Sequence, residues 1–166
     1  MRITSSGRFV FRAQWVLPVL LTLFLLFGRG LVGSPLGWMA FIGIWIAFPL
    51  LIAMYVPPLL TLADREVRAA GATRRAYSIA SWVLWVALVV TALTVVDGGD
   101  SGEVGSALTV WTGEALSSEA SMTLMIVGGL VSLTALAVTF VLAILGIVRS
   151  RSAHPAVDPA TGAAAV

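Results

Sequence analysis

The sequence predicts an all-α integral membrane protein with four transmembrane helices and both termini in the cytoplasm. Three observations lead to this: an apolar composition, four long uncharged runs, and arginines gathered into alternate connecting segments. Hydrophobic residues make up 59% of the 166 and charged residues 11%, with a mean hydropathy of +1.01. That balance lies outside the range of soluble domains. In water, uncharged runs of this length would leave very large apolar patches, so hydrocarbon is their natural solvent.

The first helix is expected near residues 10–29. Between Arg12 and Arg29 lie sixteen uncharged residues, about 24 Å of helix against a hydrocarbon thickness of about 30 Å. Phe9 to Phe11 complete the span if Arg12 snorkels, its aliphatic stem along the hydrocarbon and its guanidinium among the headgroups. The second helix is expected over 38–62, entered after the turn-forming GSPLG at Gly33 to Gly37 and left just before Asp64. Pro49 inside it lacks an amide proton and clashes with the carbonyl of Trp45, which predicts a kink. Pro57 and Pro58 are expected to loosen the last turns. The third helix is expected over 77–96, between Arg75 and Asp97. The fourth is expected over 121–148, between Glu119 and Arg149. These runs make residues 1–148 one transmembrane domain, with an outer loop at 97–120 and a flexible cytoplasmic tail at 149–166. The tail is rich in small residues and proline and has little to bury.

Charge sets the orientation. Arg2, Arg8, Arg12, Arg65, Arg68, Arg74, Arg75, Arg149 and Arg151 share one side of a four-span chain, nine of its ten arginines. The other side holds Arg29 with Asp97, Asp100, Glu103, Glu114 and Glu119. Basic residues are retained in the cytoplasm during insertion, so the arginine side is read as internal. In the hairpin between helices two and three, Asp64 is expected to cap a short helix that Gly71 ends, and to form a weak i,i+4 surface pair with Arg68. Arg65, Arg68, Arg74 and Arg75 are candidate contacts for anionic lipid or a partner protein. On the outer side Trp111, in the apolar stretch Ala107 to Trp111, is a candidate interfacial or partner contact.

Missing residue types exclude much chemistry. Cysteine and lysine are absent and the single histidine, His154, lies in the tail. Thiol catalysis, disulfides, thiolate metal sites, Schiff-base mechanisms and a histidine metal or haem site are therefore excluded or unsupported. The string GDSGE at Gly99 to Glu103 resembles the nucleophile motif of chymotrypsin-like proteases, but its segment has no histidine base and no room for the scaffold. It reads as a polar turn. The outer carboxylates do not follow the EF-hand pattern and read as a solvated loop. No catalytic, cofactor or metal residue is assigned, and no nucleic-acid partner is expected.

The spans contain no ionisable side chain clearly within the hydrocarbon, which argues against a proton-coupled transporter working alone. What they do contain is small residues in register. Gly128, Ser132, Ala135, Thr139, Ala143 and Gly146 follow one another at spacings of four, three, four, four and three along one side of helix four, a face along which helices approach closely. Ala80, Ala87, Thr91 and Thr94 make a partial counterpart on helix three, as do Gly43 and Ala47 on helix two. Packing within the bundle is the expected use of this face. The functional expectation is a non-enzymatic accessory, scaffold or regulatory subunit of a larger membrane complex, its partners being membrane lipids and another integral membrane protein or further copies of itself. The alternative is a component of an oligomeric channel or transporter. Arginine without lysine, and no asparagine, suggests a GC-rich genome. The expected location is a bacterial cytoplasmic (inner) membrane, with the first helix retained because no clear cleavage site follows it.

Overall fold

The computed structural model describes residues 5–31, 38–99 and 102–153. Its elements are α1 (Ser5–Ala13), α2 (Leu17–Leu31), α3 (Trp38–Ala63), α4 (Arg65–Ala70), α5 (Arg75–Thr94), β1 (Asp97–Gly99), β2 (Gly102–Val104), α6 (Ala107–Trp111) and α7 (Ser118–Ala153). The two strands pair antiparallel, Asp97 opposite Val104 and Gly99 opposite Gly102, and everything else that is regular is helical. Three helices are long and apolar enough to cross a membrane: Phe41–Ala63, Arg75–Thr94 and Ser118–Ser152. The pair formed by α1 and α2 makes a fourth if it counts as one bent span.

The long helices form a ring in which α2 meets α3 and α5, and α7 meets α3 and α5, the α5–α7 contact being the most extensive. Helices α3 and α5, consecutive along the chain apart from α4, therefore stand across the ring from each other. Their connection has to cross one end of the bundle, and that crossing builds the site described below. Val10, Met54, Tyr77, Leu84, Trp85, Leu88, Ala135 and Ala143 form the core cluster.

Burial is inverted relative to a water-soluble protein. Many of the buried positions are Ala, Ser, Thr or Gly, whereas Trp45, Phe48, Phe41, Leu133 and Leu130 are each more than 60% exposed. Every member of the α7 series Gly128, Ser132, Ala135, Thr139, Ala143 and Gly146 is buried. This is the pattern that a hydrocarbon solvent would favour, since such a solvent gives no reason to hide large aliphatic side chains and rewards close backbone approach at small ones.

The first span departs from the expected continuous helix at 10–29. The chain breaks between Ala13 and Leu17, and the two pieces are bent by 64°. Pro18 is the cause: it has no amide to donate to the carbonyl of Gln14 and its ring collides there. The chain tightens instead, the Val16 amide reaching the Ala13 carbonyl at 3.0 Å. The freed Trp15 carbonyl accepts from the Tyr55 hydroxyl at 2.8 Å. Arg12 consequently belongs to a separate amphipathic helix, α1, which exposes Arg8, Phe9 and Arg12 and buries Gly7 and Val10.

Other boundaries shift as well. Helix α3 runs through Pro49, Pro57 and Pro58 as one element. Helix α7 has 36 residues, about 54 Å, so Arg149 to Ala153, assigned to the flexible tail from sequence, are helical. Ala107 to Trp111 forms a short helix within the outer loop, capped by Ser106. The GSPLG turn, Asp100, Ser101 and the tail from His154 lie outside the described residues.

Candidate functional site

The connection from α3 to α5 carries the densest polar network in the described residues. Asp64 caps α4, its Oδ1 accepting from the amides of Glu66 at 3.1 Å and Val67 at 3.4 Å. Gly71, at φ 57°, ends that helix in the left-handed conformation that glycine adopts without a Cβ penalty. The chain then returns over the capping residue. Arg74 Nε donates to Asp64 Oδ2 at 2.8 Å, and Arg74 Nη2 donates to Asp64 Oδ1 at 3.2 Å and to Glu66 Oε2 at 2.8 Å. The Asp64 side chain is 2% exposed and that of Arg74 10%. Its hydrogen bond to Asp64, foremost, holds the Arg74 pKa above the ordinary arginine value despite the opposing effect of burial.

Beside this cluster, Thr73 fastens α1. Its amide and its hydroxyl both donate to the Gly7 carbonyl, at 3.0 and 3.2 Å, and its hydroxyl also pairs with Ser78 at 2.8 Å. One turn deeper, the Tyr77 hydroxyl donates to Gln14 Oε1 at 3.2 Å. Gln14 Nε2 reaches Thr61 Oγ1 at 3.5 Å, and the Thr61 hydroxyl donates to the Pro58 carbonyl at 2.7 Å. Gln14 is 2% exposed. The break at Pro18 turns it into the bundle, where α1, α3 and α5 converge.

Helix α7 closes the far side. Gly146 lies against Asp64 and Arg74, and a cavity of ≈ 20 Å³ remains among Thr61, Asp64, Thr73, Arg74, Tyr77 and Gly146. That volume suits one water molecule and nothing larger. The cluster is thus a clasp of paired charges joining α1, α3, α4, α5 and α7. Both Asp64 oxygens are engaged, which leaves neither set up as a base toward a substrate.

The structure separates the candidate arginines. Arg65, Arg68 and Arg75 are exposed, as are Arg8, Arg12, Arg149 and Arg151. Arg74 is not part of that surface: it is turned inward onto Asp64. Asp64 in turn is committed to Arg74 across ten residues and not to a surface pair with Arg68. Burial of the turn is what decides this, and no local pattern carries it. Trp111 ends α6 and is 60% exposed. Its helix is held by a hydroxyl cluster in which Ser106, Thr109 and Ser121 hydrogen bond to one another.

Among the described residues no three His, Cys, Asp or Glu side chains converge in a way that would hold a metal ion. Comparison with protein-family models, with curated proteins and with solved structures finds no match for this chain. What geometry defines is a helical bundle with three helices able to span a membrane, four with the bent pair, clasped at its arginine-rich end.

Proposed function

We propose that the protein is a non-enzymatic integral membrane protein, crossing the bacterial inner membrane four times with its arginine-rich end in the cytoplasm, and serving as an accessory or scaffold subunit of a larger membrane complex. The observation that carries this reading is on α3. Phe41, Trp45, Phe48 and Ile52 follow one another at spacings of four, three and four, and are 62%, 75%, 69% and 52% exposed. They form one ridge of large side chains on a helix of which only 28% of the spanning window is buried. Such a ridge fits the groove of a neighbouring transmembrane helix. The paired clasp supports a rigid platform over a reactive centre.

The test is affinity isolation of the tagged chain from native membranes in mild detergent. A defined membrane protein should accompany the wild type and be lost from Trp45→Ala/Phe48→Ala, with the helical content of the variant unchanged. Recovery of a partner-free monomer from the native membrane would overturn the proposal. Protein-dependent ion flux from the purified chain in liposomes would favour the oligomeric channel or transporter.

A further inference from the structure

Helix α1 has two opposed faces, and the bundle uses only one of them. Gly7, Val10 and Gln14 follow at spacings of three and four and are all buried, the Gly7 carbonyl bonded to Thr73 and the Gln14 side chain to Tyr77. Arg8 and Arg12, four residues apart, fall on the opposite side and are exposed, with the exposed Phe9 next to them. Between Gly7 and Gln14, about 10 Å of helix, the contacts advance only from Thr73 to Tyr77, about 6 Å along the axis of α5. The helix therefore lies oblique to α5 and wraps around its first turns. Phe9 marks the level, because its ring stacks at 5.5 Å on Trp82, about 10 Å along α5 from Arg75. Trp82 is itself 43% exposed.

We propose that the outward face of α1 is a docking surface for anionic phospholipids of the surrounding leaflet, with Arg8 and Arg12 holding headgroup phosphate and Phe9 resting with Trp82 at the edge of the hydrocarbon. Position and charge together select this occupant. Helix α5 is long and apolar enough to cross a membrane, so a helix wrapped around its first two turns stands at headgroup depth, and its outer side faces lipid. Exposed aromatic rings beside basic side chains suit that boundary, and guanidinium groups bind phosphate through forked hydrogen bonds. Among the described residues neither Arg8 nor Arg12 is in an ion pair, and the acids at this end, Asp64 and Glu66, are both bound to Arg74. Their charge is therefore not offset locally, and acidic headgroups complement it. Docking of Gly7 and Val10 against the bundle fixes the rotation of α1 and keeps both arginines pointing outward. The inference rests on membrane insertion and not on the existence of a protein partner.

The experiment is native mass spectrometry of the full chain released from nanodiscs of phosphatidylglycerol and phosphatidylcholine, equimolar and with matched acyl chains. The wild type should retain phosphatidylglycerol in preference, and Arg8→Gln/Arg12→Gln should lower that preference on the order of twenty-five-fold, roughly fivefold per arginine. Arg8→Lys/Arg12→Lys keeps the charge and should keep most of the preference, which separates lipid binding from a loss of fold. Arg65→Gln/Arg68→Gln removes the same charge from α4, across the end of the bundle, and should lower the preference far less. Equal retention of the two lipids by the wild type, an undiminished preference in the α1 glutamine variant, or equal losses from the α1 and α4 pairs would each overturn the proposal. A chain that fails to enter nanodiscs would overturn the membrane reading along with it, whereas entry without a preference overturns this inference alone.

Discussion

Gly146 stands so close to Asp64 that a Cβ added to it would lie 2.8 Å from the carboxylate Oδ2 and 3.6 Å from Arg74 Nε. The small-residue face of α7 and the buried ion cluster are therefore one structural unit: the helix reaches the clasp because its side chain there is a hydrogen atom.

Gly146→Ala should lower the thermal unfolding midpoint in detergent, by the equivalent of about 1–3 kcal/mol, because neither the carboxylate nor the paired guanidinium can retreat without breaking a bond. Gly128→Ala should also destabilise, since its Cβ would meet Thr91 Oγ1 at 2.6 Å. Gly129→Ala is the control, with nothing within 4 Å of the new atom. Equal tolerance of all three alanines would show that α7 does not pack along this face.

Removing one partner of the clasp should cost more than removing both charges. Arg74→Met leaves Asp64 buried and unpaired, a change of about 3–5 kcal/mol by analogy with broken buried ion pairs. Adding Asp64→Asn should recover much of that loss, because asparagine still caps α4 while carrying no charge. A double-mutant cycle on unfolding midpoints decides the matter, and simple additivity would dissolve the pair.

The docking of α1 depends on Gly7. A Cβ at that position would collide with the Thr73 carbonyl, which is backbone and has little freedom to move. Gly7→Ala should free α1 from α5, part Phe9 from Trp82, whose rings stack at 5.5 Å, and accelerate tryptic cleavage after Arg8 and Arg12. Ser6→Ala, on the exposed side of the same turn, should leave cleavage unchanged. Matching digestion rates for the two variants would reject this attachment.

Orientation is accessible because the chain has no cysteine of its own. Ala115→Cys, exposed after α6, should react with a membrane-impermeant thiol reagent in intact cells, while Ala70→Cys, exposed at the end of α4, should react only after permeabilisation. The opposite order of labelling would invert the proposed topology.

Much of this architecture is legible in one dimension. Uncharged runs mark α3, α5 and α7, Asp64 and Gly71 mark both ends of α4, and the spacing of small residues marks the face of α7 that is buried. Each is a local property: a helix cap reads its own first turn, and a face repeats every three or four residues. Pro18 carries an equally local signal, the break in the first span, which a count of uncharged residues alone overlooks.

The order of helices around the ring is different in kind. Placing α3 and α5 on opposite sides depends on which faces fit, and that choice sends their connection across the bundle end. Only there does Arg74 meet Asp64, Thr73 meet Gly7, and Gln14 meet Tyr77, pairs separated by 10, 66 and 63 residues. Hydropathy and spacing determined which segments are apolar helices and which sides are small. Tertiary packing alone decided that Arg74 is buried while Arg65, Arg68 and Arg75 are left exposed, because the cost of burying a charge depends on the partner that folding brings to it.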